Sequence, residues 1–237
     1  MKIAILSDIH ANSFALQSVL NEIDRQKIQK LIILGDIFGY YPWAVETYQM
    51  LSSRTATAIK GNHDVLVLQK DMPNPCPPYW RAAKDNERTL KEKCPAAITW
   101  LKNLDLKMEM AIEDISFSLF HGTPDDPSEG RFFPDNEETY PWFPKKREIL
   151  LLGHTHYPLE KSFPEGGMII NPGSVGQPRD GDPNSSWCIL ETKNLSVNWQ
   201  RTKYNYQEPI ELLEKMNWDR RSIAALQKTT KGKLLTT

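Results

Sequence analysis

Short apolar runs that end in polar motifs set the rhythm of the first part of the chain. Residues 2–7 are rich in isoleucine and leucine and predict a buried strand, with Asp8 and His10 just past its C-terminal end. Phe14, Leu16, Val19, Leu20 and Ile23 then recur at helical spacing, and Ser13 is a candidate cap for that helix. Leu31 to Leu34 predict a second buried strand, ending at Asp36. Pro42 suits the first position of a helix running to about Leu51. Thr55 to Ile59 predict a third strand, which runs into Gly61-Asn62-His63-Asp64. Strands alternating with helices in this way predict a parallel sheet covered by helices. Ligands of such sheets sit beyond the carboxyl ends of the strands, where each motif falls.

Residues 65–107 break the rhythm. A proline cluster (Pro73, Pro75, Pro77, Pro78) precedes two helical patterns, about 79–93 and 95–104, with Pro95 in the first turn of the second. This segment reads as an inserted helical cap near the site mouth. Strands are predicted at Ile115 to Phe120, ending at His121, and at Ile149 to Leu152, ending at Gly153-His154. Between them, 122–147 is rich in proline, acid and aromatics and predicts a long loop or small lid. Met168 to Ile170, Trp187 to Leu190 and Ser196 to Gln200 predict further strands, antiparallel in sense. Pro209 opens a C-terminal helix carrying Ile210, Leu213 and Met216, and the polar tail from Lys228 to Thr237 is expected to fray.

Composition narrows the class. A chain of 237 residues suits one domain, 1–237, with the cap at about 65–107 as an insertion. A formal net charge of -1 gives no bulk attraction to nucleic acid or membrane. No apolar stretch approaches the ~20 residues of a membrane span, and the short apolar start runs straight into a motif rather than forming a leader. Cys76, Cys94 and Cys188 are odd in number and form no C-x-x-C pair, which favours reduced thiols and a cytoplasmic location.

The chain has five histidines, and each sits in a short motif that can hold or serve a metal. Asp8, His10, Asp36, the Asn62 carbonyl, His121, His154 and His156 form a mixed nitrogen and oxygen donor set without thiolate. Such sets suit Mn²⁺, Fe, Zn²⁺ or Ni²⁺ rather than a structural thiolate zinc site. They are too many for one ion and about enough for two, and a shared carboxylate would hold a pair ~3.5–4 Å apart. Two such ions make a bridging water acidic and offer positive charge to a phosphoryl group. His63, next to Asn62, is placed to protonate a leaving group, with Asp64 able to orient it. Each fragment has a plainer reading: Gly35-Asp36 and Gly61-Asn62 are good turn chemistry, and a lone His121 suits a core. The order and strand-end placement of all five motifs are what those plainer readings do not explain.

Asp8-x-His10, Gly35-Asp36-x-x-Gly39, Gly61-Asn62-His63-Asp64, His121-Gly122 and Gly153-His154-x-His156 together resemble the calcineurin-like metallophosphoesterase superfamily. The following Asn171-Pro172-Gly173-Ser174-Val175-Gly176-Gln177-Pro178-Arg179 resembles its small bacterial and archaeal branch of phosphodiesterases and diadenosine-tetraphosphate hydrolases. The resemblance implies an α/β fold of two β-sheets packed face to face with helices outside, a four-layer αββα arrangement. It puts Asp8, His10 and His156 on one metal and Asn62, His121 and His154 on the other, with Asp36 bridging. His63 takes the place of the catalytic histidine, Asp64 of its supporting carboxylate, and Arg179 of a residue near substrate phosphate. Asn12 is placed either to reach substrate or to cap the next helix. Tyr41 departs from the branch, where a small residue often stands, and so predicts a more aromatic mouth.

The reading is a phosphohydrolase with two divalent ions, manganese foremost and Mg²⁺ also possible. Its substrate is expected to be a small nucleotide-like phosphodiester or phosphoanhydride, a dinucleoside polyphosphate at the sharpest. The alternatives are a phosphomonoesterase, acting on phosphoproteins among others, and a metal-bound scaffold for protein partners. No nucleic-acid or membrane partner is expected, and a homo-oligomer stays open. The aromatic loop at 131–143 (Phe132, Phe133, Tyr140, Trp142, Phe143) either stacks a base or packs onto the domain.

Overall fold

The computed structural model describes residues 1–136 and 142–227. The elements run β1 (Lys2–Leu6), α1 (Ser13–Arg25), β2 (Lys30–Ile33), α2 (Ala44–Ser52), β3 (Ala56–Ala58), α3 (Asn62–Leu68), α4 (Pro78–Lys93) and α5 (Pro95–Asn103). They continue with β4 (Lys107–Ile112), β5 (Ile115–Phe120), β6 (Glu148–Leu151), β7 (Pro158–Ser162), β8 (Met168–Pro172), β9 (Ser185–Glu191), β10 (Ser196–Thr202), α6 (Gln207–Lys215) and α7 (Arg220–Leu226).

Two mixed five-stranded sheets result, ordered β10-β9-β1-β2-β3 and β4-β5-β6-β8-β7. The period of two along each strand decides what lies between them. Ile3 and Ile5 of β1 and Ile32 of β2 face Phe117 and Leu119 of β5, Ile149 and Leu151 of β6 and Ile170 of β8 across a dry interlayer. The alternate residues of the first sheet, Ala4, Leu6, Leu31 and Ile33, face outward onto the helices. Each fully buried leucine, isoleucine or phenylalanine among them contributes about 1.5–3 kcal/mol. On the outer face of the second sheet, Phe132, Trp142 and Phe163 from loops cover Phe120, Leu150, Leu152 and Ile169.

The helices expected as a cap are part of the outer layer. Leu90 of α4 and Ala97, Ile98 and Leu101 of α5 belong to the same apolar cluster as α1 and the first sheet. It is the first turn of α4, at Tyr79, that reaches the site mouth.

Several local expectations are corrected. Asn12, not Ser13, caps α1: its Oδ1 accepts the Ala15 N–H at 3.2 Å. The second helix begins at Ala44, two residues after Pro42. β8 runs antiparallel to β7 as expected but parallel to β6, and β9 and β10 are antiparallel as expected. β4 and β7, which hydrophobic patterning did not reveal, are the two edge strands of the second sheet. Edges tolerate the charge and proline found in KMEMAI and PLEKS. The tail from Lys228, like Tyr140, lies outside the described residues. Among the described residues, no helix is long and apolar enough to cross a membrane.

Candidate metal centre

Loops at the carboxyl ends of β1, β2, β5 and β6, and the turn leading into α3, meet at one point. Backbone hydrogen bonds lock them together. Asp8 N–H donates to Gly35 C=O at 3.1 Å, His10 N–H to Asp36 C=O at 2.8 Å, and Gly153 N–H to His121 C=O at 2.9 Å. Five of the candidate ligands, Asp8, His10, Asp36, His154 and His156, have φ between 50° and 64°. That left-handed backbone costs a residue with a Cβ roughly 1 kcal/mol or more, so the surrounding contacts must impose it. Glycine makes the approach possible at Gly61, where an added Cβ would lie 2.2 Å from Asp36 Oδ1.

Three overlapping groups have ligand atoms within 4.8 Å of one another: Asp8, His10 and His156; Asp36, His121 and His154; and His10, Asp36 and His63. Asp36 Oδ2 lies 3.6 Å from His10 Nε2 and 3.3 Å from His121 Nε2, between the first two groups. Asp8 Oδ1 is 3.2 Å from His156 Nε2 and 4.0 Å from His121 Nε2, so it also spans them. Backbone carbonyls orient two of the rings: Leu34 C=O lies 2.7 Å from His121 Nδ1, and Gln177 C=O 2.6 Å from His156 Nδ1. Each such bond puts a proton on Nδ1 and turns Nε2 to the cluster.

Asp8 Oδ1, Asn62 Oδ1, His121 Nε2 and His154 Nε2 are buried without a hydrogen-bond partner. Buried polar atoms are normally satisfied, so orphans on side chains that line or belong to these ligand groups fit metal ions. The electrostatics agree. Burial opposes the Asp8 and Asp36 anions, yet His156 beside Asp8 and His121 beside Asp36 hold both carboxyls below their usual range. Burial likewise disfavours charge on His121, but Asp36 and then Asp8 outweigh it and raise its pKa to about 10. His154 is pushed down to about 3 by burial and by His121, and His63 to about 4 by burial. His10 falls well below its ordinary value for the same reason. Two anions beside the neutral imidazoles of His10 and His154 suit a cation, which on binding would take the place of the second proton that Asp36 and Asp8 favour on His121.

Asp64 does not orient His63. Its carboxylate accepts the N–H groups of Ile37 at 3.2 Å, Phe38 at 3.0 Å and Gly61 at 3.0 Å, tying the Asp36 loop to the α3 turn. Asn12 is fully buried. Besides capping α1, its amide donates to Gly176 C=O at 2.9 Å and to the Tyr204 hydroxyl at 3.2 Å, leaving no donor for a substrate. Tyr41 is also fully buried, its hydroxyl donating to Ser222 C=O, so the mouth owes its aromatic character to Tyr40 and Tyr79 instead. Arg179 does line the site and donates to Gln177 Oε1 at 3.0 Å.

The opening is a cavity of about 230 Å³ bounded by Asp36, Asn62, His63, His154, His156 and Arg179 together with Tyr40, Tyr79, Glu129 and Arg131. Sequence reasoning missed Tyr79, in the first turn of α4, and Arg131, in a loop without a motif. In 131–143, Phe132 and Trp142 pack on the second sheet and Phe133 on Tyr157, its ring centroid 5.8 Å away.

A ring of carboxylates and imidazoles at the strand ends of a parallel β-core is the apparatus of a metal-dependent enzyme. Comparison with known proteins places it further. The chain belongs to the calcineurin-like phosphoesterase superfamily, whose domain matches residues 1–195, and it is a metal-dependent phosphoesterase. An uncharacterised protein of Methanocaldococcus jannaschii is 30% identical over 231 residues, covering 90% of this chain and 92% of its own length. The phosphodiesterase YfcE of Escherichia coli K12 is 26% identical over 83% of this chain and 91% of its own. Among solved structures, a metallophosphoesterase from Sphaerobacter thermophilus superposes with a TM-score of 0.77 at 26% identity, covering 97% of this chain and all of its own. A hypothetical protein from Pyrococcus horikoshii reaches 0.83 at 21% identity, covering 98% of this chain and 99% of its own, and so shares the fold.

Proposed function

We propose that this phosphoesterase cleaves a small nucleotide-like phosphodiester or phosphoanhydride, with a dinucleoside polyphosphate as the best-fitting substrate and Mn²⁺ as the working ion. The observation that carries the reading is the pair of guanidiniums, Arg179 and Arg131, on the wall of the same cavity as the ligand ring. A cation that belongs to neither ion suits a second anionic group beside the one being cleaved, which a monoester lacks. The relative named a phosphodiesterase supports the same bond type.

Asp8, His10 and His156 would hold one ion and Asn62, His121 and His154 the other, with Asp36 between. The ions would supply an acidified water and positive charge for the phosphoryl oxygens. The chain's own groups do the rest. Arg179, braced by Gln177, positions the neighbouring phosphate. His63, with the Tyr40 ring 4.5 Å away, lines the cavity where a leaving oxygen would depart. Burial keeps that imidazole neutral, and the negative charge of an arriving phosphate works in the opposite direction, favouring the proton it must donate. The three cysteines are free, with Cys188 buried, which suits a reducing compartment such as the cytoplasm.

The test is metal analysis followed by hydrolysis of phosphomonoesters, phosphodiesters and dinucleoside polyphosphates with Mn²⁺ added. The dinucleoside polyphosphate should show the highest kcat/KM. A preference for monoesters would replace this reading with a phosphatase.

A further inference from the structure

A second cavity, of about 270 Å³, opens beside the first, and Tyr40 and Tyr79 line both. The rest of its polar wall comes from Gln177 and from Asp219, Arg221 and Ser222 at the start of α7. Helices α6 and α7 lie beyond residue 195, where the family match ends.

The wall is nevertheless tied to the ligand ring. Gln177 C=O orients the His156 imidazole, its side-chain amide donates to the Tyr41 hydroxyl at 3.2 Å, and that hydroxyl donates to Ser222 C=O at 3.1 Å. All of Gln177, Tyr41 and Ser222 are buried. A continuous run of hydrogen bonds therefore fixes α7 relative to His156.

The lining favours a flat heteroaromatic ring. Tyr79 is 39% exposed and Tyr40 half-buried, so phenol surface is open for stacking. The polar edge has both hydrogen-bonding senses. Arg221 is exposed and donates, with no ion-pair partner among the described residues. Asp219 accepts: its Oδ2 takes the Ser222 N–H at 2.8 Å and hydroxyl at 3.0 Å, and no hydrogen bond to its Oδ1 is formed among the described residues.

The geometry points to a base subsite: a nucleobase of the substrate lies against Tyr40 and Tyr79 in this second cavity, its edge toward Arg221 and Asp219, while its phosphate reaches the ligand ring. This rests on the nucleotide reading above and moves the base away from the 131–143 loop.

Ala225 lines the same cavity. Ala225→Trp should fill it, and Arg221→Glu should reverse the charge at its edge, both without touching a candidate metal ligand. Binding of AMP and of inorganic phosphate to the Mn²⁺-loaded protein is measured by calorimetry, with circular dichroism to verify folding. AMP should bind the native chain more tightly than phosphate. Ala225→Trp should weaken AMP on the order of tenfold, as loss of base stacking does, and leave phosphate within about twofold. Arg221→Glu, at an exposed position, keeps the test alive if the tryptophan variant misfolds, and should weaken AMP several-fold. AMP binding unaffected by both variants, or no tighter than phosphate in the native chain, overturns the subsite. AMP binding lost as expected in a protein that cleaves no nucleotide would uphold the subsite and overturn the substrate reading instead.

Discussion

The ligand ring and its rim are built in opposite ways. Asp8, His10, Asp36 and His121 are at most 1% exposed, held by backbone bonds between strand ends, and forced in part into left-handed backbone. Tyr79, Glu129 and Arg221, by contrast, are exposed and come from a helix start, a loop and a short terminal helix. The ring can change little without losing the strained geometry that aims its atoms. The rim can change freely, because its side chains reach the cavity from elements whose packing does not depend on them. Bond cleavage should therefore follow the ring, and the choice of substrate the rim.

The largest expected effect lies at the centre of the ring. Asp36 sits between the two metal-ligand groups and also accepts the His63 N–H at 2.8 Å through Oδ1. Asp36→Ala should lower bound metal from two ions toward none and cut turnover more than about 10³-fold, beyond the 10–100-fold typical of outer partners. Elemental analysis and initial rates read both. Full metal content with full activity would remove Asp36 from the centre.

His63 touches the same ring but should separate from it. His63→Ala should keep its metal while losing on the order of 10²–10⁴ in rate, as loss of a general acid does. The loss should shrink for nitrophenyl esters, whose leaving group needs little protonation. An equal loss for good and poor leaving groups would show that His63 serves metal geometry, which its place in the group with His10 and Asp36 makes a real alternative.

At the rim, Arg179→Ala removes a charge-assisted contact of about 2 kcal/mol, or roughly 30-fold in kcat/KM, for a substrate with an adjacent phosphate. A phosphomonoester should change far less. Equal effects on both would mean that Arg179 grips the scissile phosphate itself, and the ring–rim division would not hold at this position.

The same division explains what was legible in the sequence. Ring residues announce themselves because each follows an apolar run whose period marks a strand, so Asp8, Asp36, His121 and His154 could be placed by counting. What lay outside that pattern was set by tertiary contact. β7 is an edge strand whose proline and charges dilute the alternation, whereas β4 does alternate, with Met108, Met110 and Ile112 facing inward, but only Ile112 of its residues is buried. Asp64 follows His63 in the chain, yet the start of α3 turns its carboxylate onto the Ile37 and Phe38 N–H groups of another loop. Tyr41 has the composition of a mouth residue but is drawn inward by hydrogen bonds to Gln177 and Ser222. Tyr79 reaches the site from a segment whose pattern speaks only of helix.

The smallest effect on rate is expected where aromatic content is most conspicuous. In the 131–143 loop, Phe132 is 3% exposed against Leu150, Leu152, Leu159 and Ile169, with the Lys161 amine 5.5 Å from its ring centroid. Phe143 is 57% exposed and touches the Phe163 ring edge-on, on the outer face of the second sheet. Phe132→Ala should lower unfolding stability by about 3–5 kcal/mol, the cost of a large core truncation. Phe143→Ala should stay within about 0.5 kcal/mol. Below their unfolding transitions, both variants should retain kcat/KM for a dinucleoside polyphosphate within about twofold, because these rings hold a loop to a sheet rather than a base to an enzyme. A selective rise in KM for nucleotide substrates in Phe143→Ala would return base recognition to this loop and count against a subsite on α7.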